Sequence, residues 1–274
     1  MRVHSLILKM SGRIVIKLGG SLITDKATEK TLKKEVLDTV SKVIATIVNK
    51  GYSLVLVHGA GSFGHLLAKK WSIVEGADSQ FIDRQRRAVI QIREDMRELN
   101  SGVSTSLALF GINSIGNPPS DWAVGTGKDF KGDLAFFERD PEEPVPITFG
   151  DAVDTLRDDE FGILSGDDLM LRLSIELPNV THSIFLLGDS AGLMDRPPNQ
   201  EDAQLLPSWN PNNKVASEHD SEIDVTGGIR LKINRASEIA SEVDQVWLLD
   251  GREPSRMLEL LETGRTIGTK ILPG

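Results

Sequence analysis

The chain has 274 residues, 39% hydrophobic and 26% charged, with no cysteine and 40 acidic against 31 basic side chains for a net charge of −9. That length allows one large α/β domain or two small ones. The absence of cysteine excludes disulfides and thiolate metal sites and fits a reducing interior, and the acidic balance argues against a nucleic-acid partner, which would need a basic face. No apolar run is long enough to cross a bilayer, and the opening MRVHSLILKM is too short for a cleaved secretory signal, with Met10 an alternative start. The expectation is a cytoplasmic protein without a membrane partner.

Arg13–Leu18 (RIVIKL) predicts a buried strand ending in Gly19-Gly20-Ser21. Glu29–Asn49 carries Val36, Val40, Val43 and Ile47 at helical spacing and stops at Lys50-Gly51. Ser53–Val57 is the second expected strand, and the glycine loop after it opens a helix over about His65–Trp71. Phe81–Phe110 reads as helix with a polar break near Asn100-Ser101-Gly102, followed by a loop-rich stretch over Asn113–Glu143. Val145–Phe149, Thr181–Leu187 and Gln245–Leu249 are further strands, and Gly166–Glu176 and Arg230–Val243 further helices. Strands alternating with helices predict βαβ units and an open αβα sandwich with a mainly parallel central sheet.

In such sheets ligands bind beyond the carboxyl ends of the strands, and four polar clusters fall there. The first is Lys17-Leu18-Gly19-Gly20-Ser21, with Lys26 following. A lysine at the end of an apolar strand is costly unless an anion or carboxylate meets it, though it can also snorkel to solvent beside an ordinary turn. The second is VLVHGAGSFGH (Val55–His65), a G-x-G-x-x-G run. A dinucleotide fingerprint would need a strand ending in an acid about 20 residues further on, and the chain there reads FIDRQRRAVIQ, helical and basic. What survives is an anion site at a helix N-terminus, with His65 placed to donate to the anion or simply to face solvent, and His58 supporting the loop. The third is Leu164-Ser165-Gly166-Asp167-Asp168, where Asp167 is either a counter-charge for lysines or an N-terminal acid favoured by the helix dipole. The fourth is Asp224-Val225-Thr226-Gly227-Gly228-Ile229-Arg230-Leu231-Lys232, a Gly-Gly turn opening a helix. Each fits an ordinary capped turn; together, two lysines, a histidine and three glycine-rich turns suggest a bed for phosphates. No Walker sequence and no kinase-type H-R-D or D-F-G element is present.

Taken in order, KLGGSLITDK, VHGAGSFGH, FGD (Phe149–Asp151), SGDDLM and DVTGGIRLK resemble the amino acid kinase family, and within it the branch acting on isopentenyl phosphate. The resemblance runs from Arg13 to about Ile271. It implies MgATP-dependent phosphorylation of isopentenyl phosphate to the diphosphate in an alternative mevalonate pathway, by a homodimer. It also implies an acceptor lobe over about 13–164 and a nucleotide lobe over about 165–274, after an extension at 1–12. By position, Lys17 would neutralise the transferring phosphoryl group and Lys26 would assist it, with Lys232 a further catalytic residue and Lys17, Gly61 and Lys232 also contacting ATP. His65 would hold the acceptor phosphate, and Ala60, Gly61 and Gly166 would offer backbone to the phosphates. Asp167 would orient the two lysines. Gly19, Gly20, Ser21, Asp189 and Gly228 would lie on the ATP side; no protein metal ligand is expected, Mg²⁺ riding on ATP.

Two departures stand out. The family's T-D-V-D-G reads Gly188-Asp189-Ser190-Ala191-Gly192, so only its first acid is kept, and Ala60 replaces the middle glycine of an H-G-G-G run.

The chemistry is coherent on its own terms. A phosphate monoester is already mostly anionic at neutral pH and needs no base; its difficulty is repulsion from the incoming phosphoryl group, which clamped cations and donors relieve. Val89, Ile92 and Met96 share one helix face that would line a prenyl pocket or pack as core or dimer interface. Rival readings are a kinase of another small phosphate or phosphonate such as fosfomycin, a non-catalytic nucleotide-binding protein, and, least, an oxidoreductase.

Overall fold

Segments that are apolar on both faces are satisfied only inside a sheet covered on both sides. The computed structural model describes residues 11–25, 28, 30–156, 159–211 and 228–274, and in it these segments occupy the centre of an eight-stranded sheet. Its elements are β1 Ser11–Leu18, α1 Gly20–Ile23, α2 Lys34–Asn49, β2 Tyr52–His58, α3 Gly61–Lys70, α4 Ile82–Ala108, β3 Ser114–Gly116 and β4 Val145–Phe149. There follow β5 Asp151–Asp154, β6 Phe161–Leu164, α5 Gly166–Glu176, β7 Val180–Leu187, β8 Ser208–Trp209, α6 Gly228–Ala240, β9 Gln245–Asp250, α7 Ser255–Thr263 and β10 Thr269–Ile271.

The strand order is β3-β4-β2-β1-β7-β9-β10-β8. The first six are mutually parallel, β10 runs antiparallel to β9, and β8 is parallel to β10. From β1 the chain builds outward through β2 and β4, then returns to lay β7 on the other flank, which makes the carboxyl ends of β1, β2 and β7 the topological switch point. The register brings those ends level: Leu18 lies opposite both His58 and Leu186.

Side-chain alternation along the strands builds the two faces. Ile14, Ile16 and Leu18 of β1 join Leu54, Leu56, Ile184, Leu186 and Leu249 in one core, closed by α2, α3, α4 and α7. Val15 joins Val55, Val57, Phe185 and Leu248 in the other, closed by α5 and α6. Each such aliphatic side chain contributes about 1.5–3 kcal/mol when fully buried. Lys17 has the parity of Val15 and therefore projects from the α5/α6 face.

Three expectations need correction. The helix expected from Glu29 begins at Lys34, because Leu32 first bridges back to Thr24 as a short antiparallel turn. α3 begins at Gly61, so the glycine loop is itself the first helical turn and His65 stands one turn into the helix. The polar stretch at Asn100–Gly102 does not interrupt α4: a Cβ on Gly102 would lie 2.5 Å from Leu32 Cδ1, so the glycine admits a crossing segment rather than breaking the helix. The loop-rich 113–143 stretch is ordered around Trp122, whose ring meets Phe130, Phe136 and Phe137 edge-on at 5.3–6.0 Å. The β5–β6 hairpin, α7 and the β8 and β10 strands were not foreseen. Residues 1–10, Lys26, Glu29 and the Asp224–Gly227 turn lie outside the described residues.

Candidate active site

The loops that leave β1 and β2 pack backbone against backbone. A Cβ on Gly20 would lie 2.5 Å from the Gly61 nitrogen, one on Gly59 would lie 2.7 Å from the Gly20 nitrogen, and Gly61 itself has φ +50°. Side chains at these three positions would force the loops apart. Ala60 sits between them at φ −76°, ψ −30°, ordinary right-handed backbone, so the methyl that departs from H-G-G-G is accommodated.

Beyond these loops lies a cavity of about 950 Å³, into which the ends of β1, β2, β4 and β7 and the starts of α3, α5 and α6 all open. Every described residue given a catalytic, acceptor or ATP role in the sequence reading lines it. Lys17, Gly19, Gly20 and Ser21 come from the end of β1, and Ala60, Gly61 and His65 from the α3 start. Gly166 and Asp167 come from α5, Asp189 follows β7, and Gly228 and Lys232 lie on α6. His65 and Asp189 are exposed. Val89 departs from the expected pocket face: it is buried in the core, while Ile92 and Met96 of the same helix reach the cavity. His58 stays out of it, stacked on Phe149 at 4.8 Å with its Nδ1–H donating to the Gly59 carbonyl at 3.1 Å. Burial lowers the His58 pKa to about 4, so the ring is neutral and structural.

The electrostatic centre is a buried carboxylate between two lysines. Ser165 caps α5 by accepting the Asp167 N–H at 3.1 Å, which places Asp167 and Asp168 in the first turn where the dipole favours acids. Asp167 Oδ1 accepts hydrogen bonds from Lys17 Nζ and from Lys232 Nζ, the latter at 3.1 Å. Lys17 is 6% exposed and Asp167 5%, values that separate this pair from the surface ion pairs. Burial pulls the Lys17 ammonium down to about 7; Asp167 works against that shift, and the neighbouring Lys232 adds to it. Burial acts to raise the Asp167 carboxyl, but the two lysines outweigh it and hold it below the usual range. The cluster carries one excess positive charge when fully ionised, facing a cavity lined with glycine backbone: a receptor for an anion.

A second ion pair runs beside the first. Arg235 Nε donates to Asp168 Oδ1 at 2.7 Å and its Nη1 to Glu238 at 2.6 Å, while Lys128 reaches Glu238 at 3.0 Å. Lys232 and Arg235 are one helical turn apart on α6, and their acids are adjacent on α5, so two parallel bridges set how α6 faces α5. The sequence reading missed this pair and the Leu193, Met194 and Arg196 wall, and gave no role to the Gly150-Asp151 corner of the FGD motif. One signal was available: glycine follows β1, β2, β4, β7 and β9 alike, at positions 19, 59, 150, 188 and 251.

An open αβα sandwich with a glycine-lined anion cavity at its switch point, centred on a lysine–aspartate–lysine cluster, defines the class. A model of the amino acid kinase family matches residues 12–250, and the chain belongs to that family. The isopentenyl phosphate kinase of Methanothermobacter thermautotrophicus is 30% identical over 271 residues, covering 94% of this chain and 98% of its own. That of Methanocaldococcus jannaschii is 29% identical over 267 residues, covering 94% and 97%. A solved isopentenyl phosphate kinase structure superimposes with a TM-score of 0.80 at 26% identity, covering 94% of this chain and 99% of the other.

Proposed function

We propose that the protein transfers the γ-phosphoryl group of ATP to isopentenyl phosphate, yielding isopentenyl diphosphate for isoprenoid biosynthesis. The observation that carries this reading is one cavity with chemically different flanks. On the α3/α4 side His65 stands near an apolar wall of Ala68, Ile92, Met96 and Ile163, suited to a phosphate with a short hydrocarbon tail. On the β7/α6 side are Asp189, Leu193, Met194 and Gly228, suited to a nucleotide. β1 runs between the two flanks, so Lys17 stands where two phosphates would meet. The division into an acceptor lobe over about 13–164 and a nucleotide lobe over about 165–274 belongs to this reading, as do the homodimer, the cytoplasmic location and the alternative mevalonate pathway.

In the reaction the acceptor oxygen needs no general base, since the second phosphate pKa lies near ~6. Lys17 and Lys232 screen the repulsion between the anionic groups, and His65 fixes the acceptor phosphate in line. Because burial holds Lys17 at a pKa of about 7, arriving phosphates draw a proton onto it and complete the cation at the moment it is needed. Gly19, Gly20, Ser21, Gly61 and Gly166 admit phosphate oxygens to the backbone. The Asp167 carboxylate is engaged by two lysines, and in this reading Mg²⁺ is carried on the nucleotide, where it would neutralise phosphate charge.

The test is ATP-dependent phosphorylation of isopentenyl phosphate by wild type and His65→Ala in parallel. Expected is diphosphate formation, with kcat/KM for the acceptor falling about 10- to 100-fold in the variant, as for one charge-assisted hydrogen bond, and the KM for ATP unchanged. Wild type inactive on isopentenyl phosphate but active on a phosphonate such as fosfomycin would keep the kinase and overturn the acceptor.

A further inference from the structure

α3 opens without a cap of its own. Its N-cap residue is Ala60, whose side chain offers no acceptor, and no side-chain cap hydrogen bond is made from that position. A buried helix start without a partner is costly, because the first N–H groups have no intrahelical acceptor. Here the missing oxygen comes from another loop. The Thr24 hydroxyl accepts the Ser62 N–H at 3.0 Å and donates to the Gly20 carbonyl at 2.8 Å. Ser62 is the second residue of α3, so Thr24 does what a capping threonine does at N2, but from 38 residues away in the chain. Thr24 is 0% exposed and does not line the cavity.

Glycine at position 61 makes the room that the Thr24 side chain fills. A Cβ on Gly61 would fall 2.0 Å from Thr24 Oγ1, and one on Gly20 2.5 Å from the Gly61 nitrogen. The hydroxyl is thus seated among glycine backbones that hold it in contact with both loops at once. One of these loops carries Gly19, Gly20 and Ser21, and the other Ala60, Gly61 and, a turn on, His65.

We infer that Thr24 is a positioning residue that caps α3 in trans and thereby fixes the spacing of the two glycine loops across which phosphoryl transfer occurs. The inference rests on the phosphotransfer reading for its kinetic consequence. Its structural content, a shared hydroxyl that locks both loops, is independent of which substrate is used. With the hydroxyl gone, the Ser62 N–H loses its acceptor and the loops lose their common anchor. Donor and acceptor phosphates still bind, each to its own loop, but their approach is no longer fixed.

The experiment compares Thr24→Val, which keeps the shape and removes the hydroxyl, with Thr24→Ser, which keeps the hydroxyl. Readouts are steady-state kinetics with ATP and isopentenyl phosphate, and amide hydrogen exchange at Ser62. Thr24→Val is expected to lose kcat by about 10- to 100-fold, as misplacement of reacting groups by about 1 Å does, with either KM changed less than about threefold. Its Ser62 amide exchanges at least about tenfold faster, the loss of one hydrogen bond. Thr24→Ser is expected to stay within about threefold of wild type in kcat. If Thr24→Val does not fold, Thr24→Ala, which removes the hydroxyl without placing a second methyl beside Gly61, gives the same comparison. Wild-type kcat in the hydroxyl-free variant, equal losses in Val and Ser, or an unchanged Ser62 amide would each overturn the inference. If wild type itself does not phosphorylate isopentenyl phosphate, the exchange arm still decides the role of Thr24, and only the acceptor assignment falls.

Discussion

Replacing Asp167 with Asn tests the electrostatic centre most directly, because it removes the one negative charge shared by two buried lysines while keeping the shape. In the native site Asp167 opposes the desolvation of Lys17 and holds its pKa up at about 7. An opposite charge at hydrogen-bond distance is worth about 1–3 pH units, so without it Lys17 drops from roughly half protonated at pH 7 to about a tenth or less. The cation that should meet the phosphates is then largely absent, and kcat/KM is expected to fall about 10²- to 10³-fold, the loss typical of removing one transition-state donor. Only protonated Lys17 is active, so in wild type kcat/KM declines as pH rises through about 7. In Asp167→Asn that decline moves to lower pH, and the deficit narrows on acidification from pH 8 to 6. Bound phosphates hold the proton on Lys17, so the kcat profile of wild type breaks at higher pH than its kcat/KM profile. The buried pair costs about 3–5 kcal/mol to break, softened because Lys17 can shed its proton. At about 2–4 °C per kcal/mol for a chain of this size, Tm is expected to fall about 5–10 °C, leaving the variant folded for assay. The assay is diphosphate formation across pH 6–9 at saturating and limiting acceptor. A loss under tenfold with the alkaline limb unmoved would refute the account of Lys17.

Lys17→Met should separate activity from stability. Activity falls by about 10³-fold or more, yet Tm changes by less than about 5 °C, because Asp167 keeps Lys232 as its partner at 3.1 Å and Met avoids the desolvation of a buried ammonium. The sign of the pH effect is fixed as well: folded Lys17 binds fewer protons than unfolded lysine between about 7 and the ordinary lysine value of 10.5, so its contribution to stability rises with pH across that window, and urea titrations should show this slope vanish in Lys17→Met. Ile92→Ala should raise kcat/KM for prenyl phosphates longer than isopentenyl relative to the short acceptor, since Ile92 and Met96 line the cavity; unchanged chain-length selectivity by product analysis would assign that wall to packing alone.

How far the chain could be read in advance differs by kind of feature. The parallel strands were legible because RIVIKL and its counterparts are apolar on both faces, a pattern that only a doubly covered sheet satisfies. The glycine clusters at strand ends were legible because backbone must approach backbone or ligand there, and glycine alone allows it. Elements with weak local signals were not: β10 has only three residues and takes its partners, β9 and β8, from distant segments, and the polar stretch in α4 has the local pattern of a break, whereas its glycine serves the packing of Leu32 against Gly102.

What the sequence by itself determined was therefore the alternation of strands and helices, the αβα class, and the residue types gathered at the strand ends. What only the tertiary structure decided was who meets whom. Asp167 and Lys17 are 150 positions apart and share a hydrogen bond, Thr24 caps a helix begun at Gly61, and Arg235 selects Asp168. Periodicity and propensity are set by neighbours a few residues away, whereas the worth of a charge or a hydroxyl depends on burial and on partners that the chain brings together only when the sheet closes.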